Sequence, residues 1–237
     1  MNIFLDIETV GHKPEIPELV LPTRDDVSIG NLKDPKKIEE KIKKELPKLQ
    51  QKAIDKQKQE FDKEWRKNAL NSLKSDIVCL SFAIDDNDVI GLKGTEEEIM
   101  REFSRLISSI NPMTTNVVAH NGKEFDFTFL LHRGYKYRLV NVVKLFSFKS
   151  RYDPRAIDTM EKFAGTSRNW YKLDDIAKFL GVEKKIKNIN KSLVHDYYLD
   201  GRIDEIVEYC NKDVEALRRV YYILIAPFNM PINYGKK

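Results

Sequence analysis

An α/β architecture, a mixed sheet flanked by helices, is the fold class this sequence predicts, and three observations predict it. Short apolar runs of strand character crowd the first half. Segments with apolar residues at helical spacing fill the second half. With 41% hydrophobic residues among 237, the chain is the size of one sizeable core. A single domain over residues 1–237 is therefore expected, carrying a charged helical insertion at about residues 33–74.

The opening run Asn2–Ile7 reads as a buried strand that ends in acids rather than in a glycine-rich phosphate loop. Ile77–Ile84 and Val89–Leu92 read as two further strands, and the polar turn Asp85-Asp86-Asn87-Asp88 between them makes a hairpin. Thr95 before three glutamates predicts a helix N-cap, with Ile99, Phe103, Leu106, Ile107 and Ile110 at helical spacing and Asn111-Pro112 as the stop. Asn116–Ala119 is a strand, followed by a helix over Phe125–Arg133 that Gly134 is expected to end. Helices are expected near Ile157–Phe163, Leu173–Leu180, Ser192–Leu199 and Ile203–Leu224, the last closed by Pro227.

Between the first two strands, Lys33–Lys74 holds no glycine and spaces Ile38, Ile42, Leu46, Leu49, Phe61, Trp65 and Leu73 helically. Pro47 is expected to break or kink it into a hairpin. Its 14 Lys and Arg against 8 Asp and Glu give +6, so the chain's net +4 leaves −2 for the remainder. A solvated face and a nucleic-acid or partner-binding arm both fit this charge. No apolar run approaches the ~18 residues of a membrane span, and acids at the N-terminus do not suit a secretory signal; a cytoplasmic protein is expected. Cys79 and Cys210 lack CxxC spacing and His12, His120, His132 and His195 are scattered, which argues against a zinc finger or a disulfide framework.

Carboxylates are then the candidates for a metal site. Asp6 and Glu8 stand at i, i+2 on one face of the first strand, where two like charges repel unless a cation lies between them. Asp126 lies at a strand-to-helix junction within His120-Asn121-Gly122-Lys123-Glu124-Phe125-Asp126. Tyr209 and Asp213 stand at i, i+4 on one helical face. Convergent carboxylates without Cys or His ligands suit hard divalent cations such as Mg²⁺ or Mn²⁺, and two such ions can activate water and stabilise the leaving oxygen of a phosphodiester. Taken singly, each acid is more often a helix cap; Asp158 could reach the cleft but fits a helix cap equally well, and it is not counted among the ligands.

These residues, in this order, resemble the DEDD 3′-to-5′ exonucleases of the ribonuclease H-like fold, in the subgroup that carries a tyrosine. The motifs are Phe4-Leu5-Asp6-Ile7-Glu8-Thr9, the His120–Asp126 segment and Tyr209-Cys210-Asn211-Lys212-Asp213. The likeness is to stand-alone exonucleases similar to the proofreading domain of family B DNA polymerases, and it extends from Asn2 to about Leu224. It implies a DnaQ-like, five-stranded mixed sheet and hydrolysis that releases nucleoside monophosphates from a 3′ end, with single-stranded DNA as the expected substrate and replication or repair as the setting. It also implies that Asp6, Glu8 and Asp213 bind the Mg²⁺ or Mn²⁺ that activates water, that Asp6 and Asp126 serve a second ion, and that Tyr209 orients the water. Ile7, Thr9 and Asn121 are expected near the terminal nucleotide, although Asn121 equally fits a local turn. His120, His195 and the pairs Tyr197-Tyr198 and Tyr221-Tyr222 are read as structural; Lys144–Arg155, with interleaved aromatics, is a candidate strand contact. A separate polymerase or replication protein is a possible partner. Exonuclease action on short RNA and a non-catalytic nucleic-acid binding module are the alternatives.

Overall fold

The structure, a computed structural model, describes residues 1–167, 169–182 and 193–225. Five strands, β1 (Asn2–Gly11), β2 (Ser75–Ile84), β3 (Ile90–Lys93), β4 (Asn116–Ala119) and β5 (Ala156–Asp158), form one sheet in the order β3-β2-β1-β4-β5. β2 runs antiparallel to β1 and β3 antiparallel to β2, whereas β4 and β5 lie parallel to β1 and to each other. The sheet is therefore mixed and five-stranded, as expected. Its helices among the described residues are α1 (Pro35–Asn68), α2 (Glu96–Leu106), α3 (Asp126–Lys136), α4 (Val140–Phe146), α5 (Thr159–Ala164), α6 (Leu173–Phe179), α7 (Val194–Leu199) and α8 (Ile203–Ile225).

Strand alternation divides β1 between two cores. Ile3, Leu5 and Ile7 join Phe82, Phe103, Leu130 and Phe146 on the α2, α3 and α4 side. Phe4 joins Ile176, Val214 and Leu217 on the α6 and α8 side, stacked edge-on against Tyr221 at 5.1 Å. Period-2 geometry then sends Asp6 and Glu8 to the α8 side. The central strand thus carries the acids into a helix-covered face rather than into solvent.

Several boundaries differ from the sequence expectation for identifiable reasons. β1 continues to Gly11, where a Cβ would stand 2.2 Å from Trp65 O; only glycine lets the strand end press against the end of α1. The segment near Ile157 is first a short edge strand and only then helix α5, because Asp158 caps it by accepting from Met160 N. Gly134 does not end α3 but lies inside it, where a Cβ would stand 3.0 Å from Val143 Cγ2, so it admits α4 at close range. α4 itself has no counterpart in the sequence expectation. The expectation for Pro227 lies outside the described residues, as does Ser192, where the helix over Ser192–Leu199 is expected to begin.

Within the 33–74 segment, Pro35–Asn68 is one uninterrupted helix, not a hairpin, and turns follow it. Pro47 sits in its interior and removes one backbone donor, yet strong helix formers without glycine flank it, and a half-buried stripe supports both halves. Three prolines, Pro14, Pro17 and Pro22, keep the preceding chain extended, and this strap lies against α1. Gln57 Nε2 donates to Pro17 O at 2.8 Å and Gln50 Nε2 to Pro22 O at 3.0 Å.

Candidate metal centre

Asp6, Glu8 and Asp213 bring one carboxylate oxygen each to within 4.8 Å of one another. Two strand positions and one helix position create this cluster. β1 presents Asp6 and Glu8 on its α8 side, and α8 packs across β1 and β2 so that its buried face, Ile206, Tyr209, Cys210, Asp213 and Val214, meets them. All three acids are buried, with Asp213 only 1% exposed. The β1–β2 register shifts between Glu8 and Thr9, so that Glu8 faces Cys79 while Thr9 faces Ile77. An irregularity of this kind next to clustered acids re-aims the strand where a site is built.

Three carboxylate oxygens this close repel one another, and a cation between them offsets that repulsion. The donor set, three hard oxygens from acids, fits a divalent cation of the magnesium or manganese kind. Cys210 adds a thiol to this shell: Sγ lies 3.3 Å from both Asp6 O and Asp6 Oδ2. Burial, and then the neighbouring Cys79 thiol, pushes the Cys210 thiol well above its ordinary range, so it stays an S–H donor to Asp6. Sequence reading overlooks this contact, although the position one residue after Tyr209 on a buried helical face hints at it.

Asp126 stands beside the three-acid cluster rather than within it. Its Oδ1 accepts from Ile7 N at 3.1 Å, a backbone donor on the edge of β1 that β4 leaves unpaired beyond Ala119. The carboxylate thus takes the place of the next β4 carbonyl, and α3 begins on it. Tyr209 is 3% exposed, one turn before Asp213 on the same buried face of α8.

The loop that delivers Asp126 is held by Asp158, for which the sequence leaves open a helix cap and a reach into the cleft. Besides its cap bond to Met160 N at 2.9 Å, Asp158 Oδ1 accepts from Asn121 N at 2.9 Å, and Oδ2 accepts from Lys123 N at 3.3 Å. Asn121 adopts φ +63, and its carbonyl accepts from Glu124 N and Phe125 N, so its backbone forms the local turn, the second of its two sequence readings. His120 is structural as expected, with Nδ1 3.0 Å from Thr159 Oγ1 and Nε2 2.9 Å from Tyr171 O. His195, buried on α7, stacks edge-on against Trp65 at 4.6 Å, and burial followed by Arg66 lowers its pKa.

Two of the residues expected to line a nucleotide face elsewhere. The alternation that aims Asp6 and Glu8 at α8 turns Ile7 into the opposite core, 2% exposed, so only its backbone borders the site. Thr9 donates its hydroxyl to Ala69 O at 2.7 Å and ties β1 to the end of α1. Within Lys144–Arg155, Phe146 is core, Arg151 pairs with Glu124 and Glu161, and Arg155 pairs with Asp153 at 2.9 Å, so the stretch is largely structural; Tyr152 alone among its aromatics is fully outside. A groove of about 460 Å³, lined by Lys123, Phe127, Leu131, Phe148 and Arg151 among others, lies along α3, and none of the acids lines it. No helix among the described residues is long and apolar enough to cross a membrane.

A family model described as a predicted 3′-5′ exonuclease related to the exonuclease domain of PolB matches residues 77–224. The match includes Asp126, Tyr209 and Asp213; β1 and α1 precede it. A DNA polymerase of Archaeoglobus fulgidus is 25% identical over 172 residues, which cover 68% of this chain and 21% of the polymerase. The family B DNA polymerase of the hyperthermophilic archaeon Pyrobaculum calidifontis superposes with a TM-score of 0.55 at 20% identity, over 67% of this chain and 22% of that one, and shares its fold. The chain spans about a fifth of the length of these polymerases.

Proposed function

The chain belongs to the family of predicted 3′-5′ exonucleases related to the exonuclease domain of PolB, and from that premise we propose that it hydrolyses single-stranded DNA from the 3′ end with divalent metal ions, as a member of the tyrosine-bearing DEDD subgroup. The observation that carries this reading is the convergence of Asp6, Glu8 and Asp213 within 4.8 Å at the centre of the sheet. In this reading Asp6, Glu8 and Asp213 hold one Mg²⁺ or Mn²⁺, while Asp6 and Asp126 serve a second. When bound, the pair supplies a water of lowered pKa and charge compensation at the phosphodiester.

The remaining work falls to the chain's own groups. Asp126, fixed through Ile7 N, joins the second motif to the strand that bears the first. Cys210 donates to Asp6 and so limits the directions that carboxylate can take. Tyr209 orients the attacking water through its hydroxyl, which acts by hydrogen bonding rather than by proton abstraction. Water oxygen adds to phosphorus, the 3′ oxygen of the penultimate nucleotide leaves, and the products are a nucleoside 5′-monophosphate and a strand one residue shorter with a new 3′ hydroxyl.

The test follows 5′-labelled DNA and RNA oligonucleotides with Mg²⁺, with Mn²⁺ and with chelator, using wild type and Asp126→Ala. Stepwise shortening of DNA that needs metal and is lost in the variant supports the reading. Shortening of RNA but not DNA would move the substrate to RNA, and an inactive wild type that binds both strands would sink the enzymatic reading altogether.

A further inference from the structure

We propose that α1 and its strap form an arm that grips the phosphate backbone of the strand whose 3′ end enters the metal centre, through a stripe of lysines at positions 37, 41, 44, 48 and 52. This rests on the nucleic-acid substrate proposed above and adds a second site remote from the acids. The arm is a two-ply structure of defined length. Asn68 Nδ2 donates to His12 O at 2.9 Å at one end, and Arg24 pairs with Glu39 at 2.6 Å toward the other. The helix rises about 44 Å between positions 39 and 68, and the strap from 12 to 24 reaches at most about 43 Å, so the strap is close to full extension along the helix.

The packed side of α1 is accordingly a single stripe, Ile38, Ile42, Leu49, Ala53, Phe61 and Trp65, which is buried or half-buried. Lys37, Lys41, Lys44, Lys48 and Lys52 recur at i, i+4, i+7, i+11 and i+15 on the side of the helix away from Glu39, Gln50 and Gln57, which bond the strap. Lys41 is half-buried and the other four are exposed. Lys48 pairs with Glu45 at 3.2 Å, and the other four take part in no ion pair among the described residues. The strap carries the contrary sign, Lys13 and Arg24 against Glu15, Glu18, Asp25 and Asp26, so the positive surplus of the arm belongs to α1. The stripe spans about 22 Å of helix, the reach of about six phosphates along one B-form strand.

What makes the arm part of the site, rather than a solvated appendage, is its root. Trp65 Nε1 donates to Gly11 O at 2.7 Å, Thr9 Oγ1 donates to Ala69 O, and Arg66 pairs with Asp196 of α7 at 2.6 Å. Gly11 and Thr9 end the same strand that carries Glu8. A polyanion is the occupant that this charge distribution selects, and the family's chemistry requires one to pass nearby.

The experiment measures binding of a fluorescent 20-nucleotide single strand in chelator, between 50 and 300 mM salt, for wild type, a five-site Lys→Gln variant, a five-site Lys→Arg variant and the two-site variant K44Q/K48Q. Glutamine and arginine both keep helix propensity. For each phosphate of a single strand that a lysine no longer neutralises, the slope of log K against log salt falls by about 0.7, so the five-site Gln variant is expected to lose about 3.5 units of slope and at least tenfold in affinity at 100 mM salt. K44Q/K48Q should lose about 1.4 units, and the Arg variant should match wild type. Cleavage of a trinucleotide with Mn²⁺, too short to reach the stripe, should be unchanged in all four. A Gln slope within 0.5 of wild type, or Gln and Arg variants that fall equally, overturns the arm as a backbone grip. If wild type cleaves nothing, the exonuclease reading fails while the slopes still decide the arm.

Discussion

Replacing Asp158 by alanine is expected to lower both the melting temperature and the exonuclease rate, because one buried carboxylate joins the start of α5 to the loop that carries Asp126. At 2% exposure, Asp158 accepts from Met160 N, Asn121 N and Lys123 N, with Glu161 N at the limit of 3.5 Å. Loss of the cap costs about 1 kcal/mol, and each loop N–H left without its charged acceptor costs about 1–3 kcal/mol. The sum is about 3–7 kcal/mol, which at about 2–4 °C per kcal/mol for a domain of this size lowers Tm by at least about 6 °C. Release of the Asn121 turn frees Asp126 from its position on Ile7 N, and loss of an outer-shell support of this kind costs about 10–100-fold in activity. Thermal unfolding by circular dichroism and nucleotide release at 25 °C, well below either melting point, measure the two effects separately. Asp158→Asn sharpens the test: an amide oxygen in the Oδ1 position keeps the bonds to Asn121 and Met160 and loses only the 3.3 Å bond to Lys123, so it should cost about 1 kcal/mol. An alanine variant that melts within 2 °C of wild type, or that melts early yet turns over normally at 25 °C, would refute the account, the second outcome reducing Asp158 to a helix cap.

Tyr209→Phe, which removes one hydroxyl from a buried face of α8, is expected to lower kcat about 10–100-fold with metal affinity unchanged; metal titration beside single-turnover rates checks it, and weaker metal binding with normal turnover contradicts the water-orienting role. Burial alone would raise the Glu96 carboxyl, but hydrogen bonds from Arg133, Lys136, Ile77 N and Tyr137 outweigh it and hold it below its ordinary value of 4.5. A carboxyl lowered by folding contributes stability in full above its unfolded value and loses it as pH falls below that value, so urea midpoints should decline on acidification below about pH 4.5, and Glu96→Gln should flatten that decline while being less stable at pH 7. Gly11→Ala must displace Trp65 O from 2.2 Å and Ala69 N from 2.8 Å; a loss of about 2–4 kcal/mol in urea unfolding is expected, and an unchanged midpoint would mean that the root of the arm is loosely packed.

Local signals are legible where chemistry and spacing act over a few residues. Thr95 with Glu98 gives a capping box, each side chain bonding the other's backbone, as the three glutamates predict. β4 spans Asn116–Ala119 as read, since a short apolar run between turns leaves little choice. Pro47 misleads because helix breaking is a local penalty of a few kcal/mol, and here it is outweighed by the strap, whose hydrogen bonds to Gln50 and Gln57 come from residues 28 and 40 positions away. Gly134 misleads for a similar reason, as close approach of α4 rather than chain reversal requires it.

For the site, the sequence by itself determined which acids share a face, because Asp6 with Glu8 and Tyr209 with Asp213 are fixed by the periods of strand and helix. It also set the charge of the lysine stripe on α1, which the same helical period generates. Only the tertiary structure decided that the two faces meet within 4.8 Å, that Asp126 attaches to Ile7 N instead of joining the cluster, that Cys210 touches Asp6, and that Asp158 supports the second motif from another strand. Those contacts join residues far apart in the chain, and Asp126 and Asp158 make theirs to backbone donors that sheet order and helix packing leave to be filled. No periodicity records which backbone N–H a neighbouring strand will fail to pair, and it is at such gaps that this protein places its carboxylates.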